Sequence, residues 1–329
     1  HNDDGRADHD HDAGLTAAGP VAPQSRTPIS KETEQMEITL GNLQAVFTGL
    51  KATFAEAVEA AETDSIQRLM ERVPSTTDSE QYPVATLLGD LEEVLDEVTI
   101  TSIGRYVQSV PNRTFARIVQ INRNDIADDN LGVYSPGVRQ LGRRAALYPL
   151  RLAVEALLAG FTDEWIDGEA VFSDSHSWPG GEAWSNRGDM ALDSDNFDAA
   201  CLALESRTGP DGSPLGLVPR VLVCGLELRG TAEELVELQF LANGASNRRY
   251  KRCDLMVLPR LGSSTAWFVI DNDPVLPMVL QDREGPEFTA KDSPDADDAF
   301  YRELYAYKAR RRCAVAILAP WLIQASAGA

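Results

Sequence analysis

Hydrophobic residues recur along this chain at two spacings, and each change of spacing marks a new predicted element. Over residues 38–70 they fall every three or four positions, which predicts one amphipathic helix. The same spacing predicts a second helix over residues 84–95, with its acidic side chains on a solvated face. Over residues 98–121 the spacing changes to two on both sides of "SVPNRT" (109–114), and this alternation predicts a long β-hairpin.

A long helical pattern follows over residues 135–161, and at about 1.5 Å per residue it would extend roughly 40 Å. Ser135 suits the N-cap of this helix, and Pro136 suits its first helical position. Pro149 interrupts the pattern because it has no backbone N–H to donate. A kink or a junction between two helices is therefore expected at Tyr148.

The C-terminal half of the chain alternates helices with short apolar strands. The pattern predicts a helix, a buried strand and a second helix at residues 197–206, 220–225 and 231–241. Thr231 and Glu234 fit a capping box at the start of the second helix. The strings "CDLMVLPRL", "TAWFVI" and "PVLPMVLQ" predict further strands, and two apolar runs between residues 300 and 325 predict a closing antiparallel pair.

The composition is that of a globular protein with an acidic surface. The chain has 329 residues, of which 43% are hydrophobic, and its formal net charge is −21. This charge argues against nucleic acid as a tightly held partner, because phosphate binding needs clustered Lys and Arg. Arginine far outnumbers lysine, which suits bidentate pairing with carboxylates at packed interfaces. A GC-rich or salt-adapted source would produce the same bias.

The cysteines and the apolar stretches indicate a reduced, soluble protein. No C-x-x-C pair and no nearby histidine accompanies the four cysteines, which are Cys201, Cys224, Cys253 and Cys313. Buried thiols are expected rather than a zinc site or a disulfide framework. No apolar stretch approaches the roughly 20 residues that span a bilayer, and no signal-peptide pattern opens the chain, so a cytoplasmic origin is expected. Residues 1–35 are polar and are predicted to be disordered alone.

The common enzyme motifs do not occur in the chain. There is no G-x-G-x-x-G at a strand–helix junction, no phosphate-binding loop, no H-E-x-x-H and no G-x-S-x-G. Three of the four histidines lie in the polar N-terminal stretch, where "DHDHD" (8–12) could bind a metal. We interpret it as a solvated tail, because a flexible chain offers no preformed geometry. We interpret His176, in "SDSHSW", as a structural loop histidine, because a catalytic triad needs residues converging from separate segments.

Four side chains of types that can bind metals lie close together in one turn of the sequence. They are Asp125, Asp128, Asp129 and Asn130. A calcium-binding EF-hand loop needs Gly at its sixth position and Glu at its twelfth. Counted from either Asp125 or Asp128, neither residue stands there. The turn therefore fails as a calcium loop, and its carboxylates are interpreted as candidates for pairing with arginines.

Five stretches of sequence, and the order in which they occur, are typical of a known family. They are "ITLGNLQAVFTGLKATFAEA" (38–57), "VPSTTDSEQY" (73–82), "RNDIADDNLGVYSPGVRQLGRRAALYP" (123–149), "LLAGFTDEWIDGEAVFSDSH" (157–176) and "PVLPMVLQDREGPEFTAKDSPDADDAFYRELYAYKARR" (274–311). From about residue 37 onwards the chain resembles the major capsid (head) proteins of Mu-like tailed phages, a branch of the Hong Kong 97 type capsid fold.

The resemblance implies an α+β fold in five segments. They are an N-terminal arm (1–74), an extended-loop hairpin that overlaps a neighbouring subunit (75–131), a peripheral domain with a long spine helix (132–189), an α/β axial domain (190–263) and return strands of the peripheral domain (264–329).

The resemblance also implies the function of a major capsid protein. Such a protein self-assembles as hexamers and pentamers into an icosahedral shell, which encloses double-stranded DNA without reading its sequence. Its partners would be copies of itself and, as further candidates, portal, scaffold or protease, and decoration proteins. It would be assembled in the host cytoplasm and reside in the virion. Neither enzymatic activity nor a metal or cofactor is expected, and assembly is expected to be non-covalent.

Contacts between subunits are expected to use Arg–carboxylate pairs. The candidates are Asp125, Asp128, Asp129, Arg113, Arg117, Arg139 and Arg143. Two alternatives stay open. One is an encapsulin-like cellular compartment with the same fold, and the other is a metal-dependent hydrolase that would use Asp125, Asp128, Asp129 and His176.

Overall fold

The computed structural model of the chain describes residues 38–61, 64–83, 107–128, 130–178, 183–262, 264–294 and 296–328. Several predictions fall outside these residues, namely the disordered stretch 1–35 with its "DHDHD" metal candidate, the helix over 84–95, the first part of the hairpin and Asp129. None of the described helices is long and apolar enough to cross a membrane.

The described residues form eight α-helices and thirteen strands. The helices are α1 (Leu40–Glu59), α2 (Asp64–Leu69), α3 (Arg123–Ala127), α4 (Ser135–Ala146), α5 (Tyr148–Ala159), α6 (Ser194–Glu205), α7 (Arg229–Val236) and α8 (Asp297–Arg302). The strands are β1 (Met70–Pro74), β2 (Ser79–Pro83), β3 (Val107–Pro111), β4 (Arg113–Asn122), β5 (His176–Ser177), β6 (Ala183–Trp184), β7 (Arg187–Gly188), β8 (Val221–Cys224), β9 (Asp254–Val257), β10 (Trp267–Ile270), β11 (Met278–Lys291), β12 (Leu304–Ile317) and β13 (Ile323–Ser326).

The two long strands β11 and β12 form the centre of one sheet, whose order is β1, β11, β12, β4. β11 and β12 pair antiparallel, β1 joins β11 in parallel, and β4 joins β12 antiparallel with Asn122 opposite Leu304. α4 and α5 pack on β12, and α1 packs on α4 and β11. Burial of apolar side chains between these helices and the sheet provides much of the driving force for their association.

The described part of the hairpin predicted over residues 98–121 is extended, but its strands β3 and β4 do not pair with each other, so the predicted pairing is wrong for these residues. β3 pairs antiparallel with β2, with Val110 opposite Glu80, and the two form a separate ribbon. β4 pairs with β12 instead. Alternating hydrophobicity predicts that a segment is extended but contains no information on which distant strand it pairs with.

Side-chain hydrogen bonds hold the junction between β3 and β4. The Asn112 amide donates to Ser75 Oγ and to the Thr77 carbonyl, at 2.8 Å each, and so ties this junction to the β1–β2 turn. Glu80 accepts hydrogen bonds from Ser75 Oγ and from the backbone N–H groups of Thr76 and Thr77. These bonds stabilise the carboxylate and lower the pKa of Glu80 to about 2.

A second sheet, in the order β7, β13, β10, β8, β9, lies in the protein interior, and every residue of β8, β10 and β13 is buried. β12 and β13 therefore belong to different sheets, and the predicted closing pair is wrong. The change of sheet occurs at Leu318 and Ala319, whose N–H groups both donate to the Pro277 carbonyl. Pro320 follows, and it cannot donate to a strand ladder because it has no N–H.

The single helix predicted over residues 38–70 is too long, because α1 ends at Glu59 and the chain then forms α2 and β1. Leu43 and Phe54 of α1 are buried in a hydrophobic cluster with α4 and β12. Ile66 of α2 is buried in a different cluster, which contains α5 and the second sheet. α1 and α2 therefore bury their apolar residues in different clusters.

The long helical pattern over residues 135–161 forms two helices that meet at Leu147. This confirms the expected junction next to Tyr148. Pro149 lies in the first turn of α5, where a missing N–H costs no helical hydrogen bond.

The two predicted helix caps are wrong in detail. Ser135 is the first residue of α4, and Tyr134 takes the N-cap position without a side-chain capping bond. Thr231 lies inside α7, which begins at Arg229, so it cannot cap the helix with Glu234. In both helices the preceding residue has right-handed helical φ and ψ, whereas a capping side chain needs an extended backbone.

A buried guanidinium joins separate parts of the fold. Arg207, just after α6, is only 4% exposed. Its Nη1 donates to the carbonyls of Trp321 and Ile323, and its Nη2 donates to the Ser185 carbonyl at 2.9 Å and to Gln324 Oε1 at 2.6 Å. Burial lowers the pKa of Arg207 to about 9, so the group stays charged at neutral pH. Neutral oxygen atoms, rather than a carboxylate, accept its hydrogen bonds.

The cysteines are free and buried, which confirms the expectation of unpaired thiols. Burial raises the pKa of Cys201 and Cys224 to about 11 and that of Cys253 to about 12. These thiols are therefore protonated at neutral pH and are poor nucleophiles.

Candidate intersubunit contact surface

The acidic turn begins where β4 ends. The Asn122 side chain accepts a hydrogen bond from the Asn124 N–H and so caps α3, and Ile126 is completely buried, which holds the short helix against the core. The Tyr134 hydroxyl donates to Asp125 Oδ2, and this bond raises the pKa of Tyr134. Asp125 therefore links α3 to the start of α4 within the subunit.

The other two carboxylates of the turn are not part of that link. Asp128 follows the end of α3 and is exposed, and Asp129 lies outside the described residues. Asp128 makes no ion pair within the described part of the chain. Of the three carboxylates, Asp128 is the one that the structure shows as available to another molecule.

The structure does not bring the hydrolase candidates together. His176 is completely buried, with Nδ1 at 2.7 Å from Asp167 Oδ2 and Nε2 at 3.2 Å from the Val171 carbonyl. Its ring stacks on Trp184 at a centroid distance of 4.2 Å. No group of three or more His, Cys, Asp or Glu side chains among the described residues could hold a metal ion. These contacts support the structural role predicted for His176, although it lies in the short strand β5 rather than in a loop.

All four candidate arginines, Arg113 and Arg117 on β4 and Arg139 and Arg143 on α4, are exposed. The Arg113 guanidinium lies over the Phe115 ring at 5.3 Å. Arg139 and Arg143 are four positions apart on one helix face, where like charges repel. None of the four forms an ion pair with another described residue.

A cleft of about 670 Å³, which we call the arginine cleft, lies beside α4. It is bounded by β4, α4, α5, β12 and the turn Pro259–Leu261. Its apolar floor includes Phe115 and Tyr148, whose ring centroids are 4.4 Å apart, together with Leu141. Its charged lining consists of Arg117, Arg144, Arg151, Arg260, Arg310 and Arg311.

Half of these arginines have carboxylate partners within the subunit. Arg151 pairs with Glu155 at 2.7 Å, Arg311 with Asp282 at 3.1 Å, and Arg310 with Glu284. The three others, Arg117, Arg144 and Arg260, are exposed and form no ion pair with any described residue. Among the residues that the structure describes, no aspartate or glutamate lines the cleft. The cleft is therefore a local excess of positive charge on a chain whose net charge is −21.

Sequence reasoning identified only Arg117 among the residues of the arginine cleft. The consecutive arginines "RR" (143–144) and "RRR" (310–312) were a usable signal, because a basic run in an acidic chain is unusual. The sequence around Arg260 does not indicate that it belongs to the cleft, because the turn after β9 brings it there.

The fold is similar to that of solved capsids. A procapsid of bacteriophage JBD30 aligns with a TM-score of 0.56 and 22% identity, over 89% of this chain and 77% of that one. The JBD30 capsid aligns with a TM-score of 0.54 and 21% identity, over 69% and 100%. A virus-like particle from Pyrococcus furiosus aligns with a TM-score of 0.52 and 12% identity, over 85% and 98%. At these identities the likeness shows the fold alone, and it confirms the α+β fold of Hong Kong 97 type capsid proteins.

Two curated proteins are similar in sequence. The Mu-like prophage FluMu major head subunit of Haemophilus influenzae is 34% identical over 139 residues, which are 42% of this chain and 45% of that protein. The major capsid protein of Escherichia phage Mu is 32% identical over 141 residues, which are 43% and 46%. The chain thus spans less than half the length of the curated relatives it matches.

A family model covers far more of the chain than either relative does. The model of the Mu-like prophage major head subunit gpT matches residues 43–189, 182–261 and 260–326, which include all but one of the described helices and strands over their full length. This match confirms the resemblance noted in the five stretches of sequence, and the chain belongs to the family of Mu-like prophage major head subunits.

Proposed function

We propose that the protein is the major subunit of a phage-type head and that it self-assembles as hexamers and pentamers into an icosahedral shell around double-stranded DNA. The family match from residue 43 to residue 326 is the observation that carries this proposal. The similar folds of the JBD30 procapsid and capsid support it.

The β2–β3 ribbon supports a shell built from many copies. Val110 is the only buried residue in the ribbon's two strands. A two-stranded ribbon with so little core is marginally stable in water. A neighbouring subunit that covers its exposed face would supply the missing burial, and this is the role proposed for the extended loop over residues 75–131.

Two exposed aromatic rings also support contacts between copies. Phe300 and Tyr301 of α8 are 73% and 78% exposed, and their rings pack edge to face at 5.0 Å. Exposed aromatic pairs of this kind are typical of protein contact surfaces.

The charge of the chain supports enclosure of DNA without tight binding, because an acidic protein repels phosphate. We propose that the subunit has no enzymatic activity, that assembly in the host cytoplasm is non-covalent, and that portal, scaffold or protease, and decoration proteins are further partners. The family is one of structural head subunits, which agrees with a non-enzymatic role.

The proposed segments are an N-terminal arm (1–74), extended loop (75–131), peripheral domain (132–189 and 264–329) and axial domain (190–263). The second sheet affects the proposed boundary of the axial domain at residue 263, because β8 and β9 from before this boundary share the sheet with β10 and β13. β10 and β13 come from beyond residue 263, so the axial core would include strands from the C-terminal segment.

Electron microscopy of the purified, assembled protein tests the proposed function. Closed shells or rings of five and six subunits are expected. Failure to find either under any assembly condition would count against it. An encapsulin-like compartment would also form shells, and the genes beside this one separate the two functions, since portal and terminase genes mark a phage-type particle.

The carboxylates of the acidic turn are predicted to matter more for assembly than for folding. We expect Asp128→Asn to reduce the yield of shells while leaving the melting temperature of the subunit unchanged, because Asp128 is exposed and has no partner in the described chain. Asp125→Asn should in addition cost about 1 kcal/mol of stability by weakening the bond from Tyr134. The triple variant with Asp129→Asn should show both effects.

Shell yield by analytical ultracentrifugation and melting temperature by calorimetry distinguish these effects. Asp174→Asn removes an exposed carboxylate elsewhere and is the matched control. Equal shell yields for Asp128→Asn, Asp174→Asn and the native chain would show that the turn is not an assembly contact.

A further inference from the structure

We infer that Gln281 is a positioning residue for assembly, because its buried amide sets the direction of the β2–β3 ribbon within the single subunit. Gln281 lies on β11 and forms a hydrogen bond with each strand of the ribbon. The role in assembly rests on the proposed function, whereas the direction of the ribbon is a property of one subunit alone.

The Gln281 side chain is completely buried, and both ends of its amide have partners. Its Nε2 donates to the Val110 carbonyl of β3 at 3.1 Å, and its Oε1 accepts a hydrogen bond from the Tyr82 hydroxyl of β2 at 3.2 Å. A carbonyl oxygen can only accept, so the amide nitrogen has to face Val110. One side chain of β11 thus holds a point on each strand of the ribbon.

The ribbon has little of its own to keep it in this direction. Among the described strands, β2 and β3 pair with each other alone, and Val110 is their only buried residue. A two-stranded ribbon of this kind is marginally stable in water. Its contacts with the rest of the subunit therefore decide where it points.

A second set of bonds fastens the ribbon at the β1–β2 turn. The Ser75 N–H donates to the Asp282 carbonyl at 3.2 Å, and Arg283 Nη1 donates to the Ser75 carbonyl at 3.1 Å. Asp78 of the same turn forms an ion pair with Arg312 of β12. The turn and the buried amide hold the ribbon at separate points, and two points fix a direction where one would leave a pivot.

A ribbon with a fixed direction makes association easier. A ribbon that moves freely has to be ordered when subunits meet, and this loss of conformational freedom weakens binding. Movement of the ribbon away from Gln281 would also leave a buried amide without partners, which is unfavourable. The free subunit is therefore expected to present the ribbon in one direction.

The distance between two spin labels tests this direction in the unassembled subunit at low protein concentration. Val107→Cys at the start of β3 and Leu202→Cys on α6 provide exposed thiols, whereas the native cysteines are buried. Pulsed electron paramagnetic resonance should give a narrow distance distribution in the otherwise native chain. Gln281→Leu keeps a similar volume but loses both bonds, and it should broaden the distribution. A broad distribution before this substitution, or a narrow one after it, would overturn the inference.

Tyr82→Phe separates the effect of the amide contact from general damage to the fold. It removes only the hydroxyl that donates to Gln281 Oε1, so the distribution should broaden in part while the melting temperature stays native. Tyr250→Phe removes the hydroxyl of an exposed tyrosine elsewhere and should leave the distribution unchanged. If Gln281→Leu does not fold, equal distributions in the two tyrosine variants would overturn the inference.

The protein concentration at which rings and shells first form tests the role in assembly. Gln281→Leu should raise this concentration roughly fivefold or more, and Tyr82→Phe should raise it less. A native threshold in a variant whose distance distribution is broad would show that assembly does not need the fixed direction, and Gln281 would then not be a positioning residue. If the native chain forms neither rings nor shells, the proposed function fails, while the spin-label distances still decide whether the ribbon has one direction.

Discussion

Replacement of Arg207 with methionine is expected to lower the free energy of unfolding by on the order of 3 kcal/mol. The guanidinium is 4% exposed and donates to three backbone carbonyls and to the Gln324 side chain. Methionine fills a similar volume but donates nothing, so buried oxygens lose their partners. Loss of the buried charge removes a desolvation cost and offsets part of this effect. Urea denaturation at a fixed protein concentration measures the difference.

Arg229→Met is the matched control for this prediction. Arg229 is 60% exposed in its side chain and pairs with Glu233 on the same helix, so its loss should leave the free energy of unfolding almost unchanged. Arg207→Lys should recover only part of the stability, because one ammonium group cannot reach all four acceptors. Equal destabilisation by Arg207→Met and Arg229→Met would mean that the buried network does not hold the second sheet.

Gly142→Leu is expected to displace α1 from α4 and to prevent shell assembly. A Cβ added at Gly142 would lie 2.6 Å from the Phe54 carbonyl oxygen and 3.0 Å from the Ala57 Cβ. Backbone cannot yield as a flexible side chain can, so the two helices must separate. Overpacking of this kind costs about 1–3 kcal/mol, and separation would also expose the buried residues Leu43 and Leu50. Hydrogen–deuterium exchange over residues 40–59 should show loss of protection.

Gly137→Leu separates this steric effect from a change in helix propensity. Gly137 lies on the same helix, is exposed, and has no atom within 4 Å of an added Cβ. Leucine there should stabilise α4 by up to about 1 kcal/mol. Protection of α1 that is equal in the two variants would show that the close approach at Gly142 does not hold α1 in place.

The contact surface could be predicted from sequence only in part. The acidic turn stands out as four ligand-type side chains within six residues, and the structure shows that Asp125 is used internally while Asp128 is exposed. The arginine cleft could not be assembled from sequence in the same way. Arg144, Arg260 and Arg310 are far apart in the chain and meet only because β12 lies between β4 and β11 and beneath α4 and α5.

Local patterns in the sequence determined which segments are helical or extended and where the long helical pattern is interrupted. Periodicity and proline chemistry depend on neighbours within a few residues, so α4, α5, β8 and β10 form where the pattern predicts them. Strand partners were decided by the tertiary structure. Any extended segment can supply the same backbone hydrogen bonds, and the choice of β2 for β3 and of β12 for β4 depends on side-chain contacts such as those of Asn112. The end of α1 was decided in the same way, because the chain had to bury apolar residues in two separate clusters.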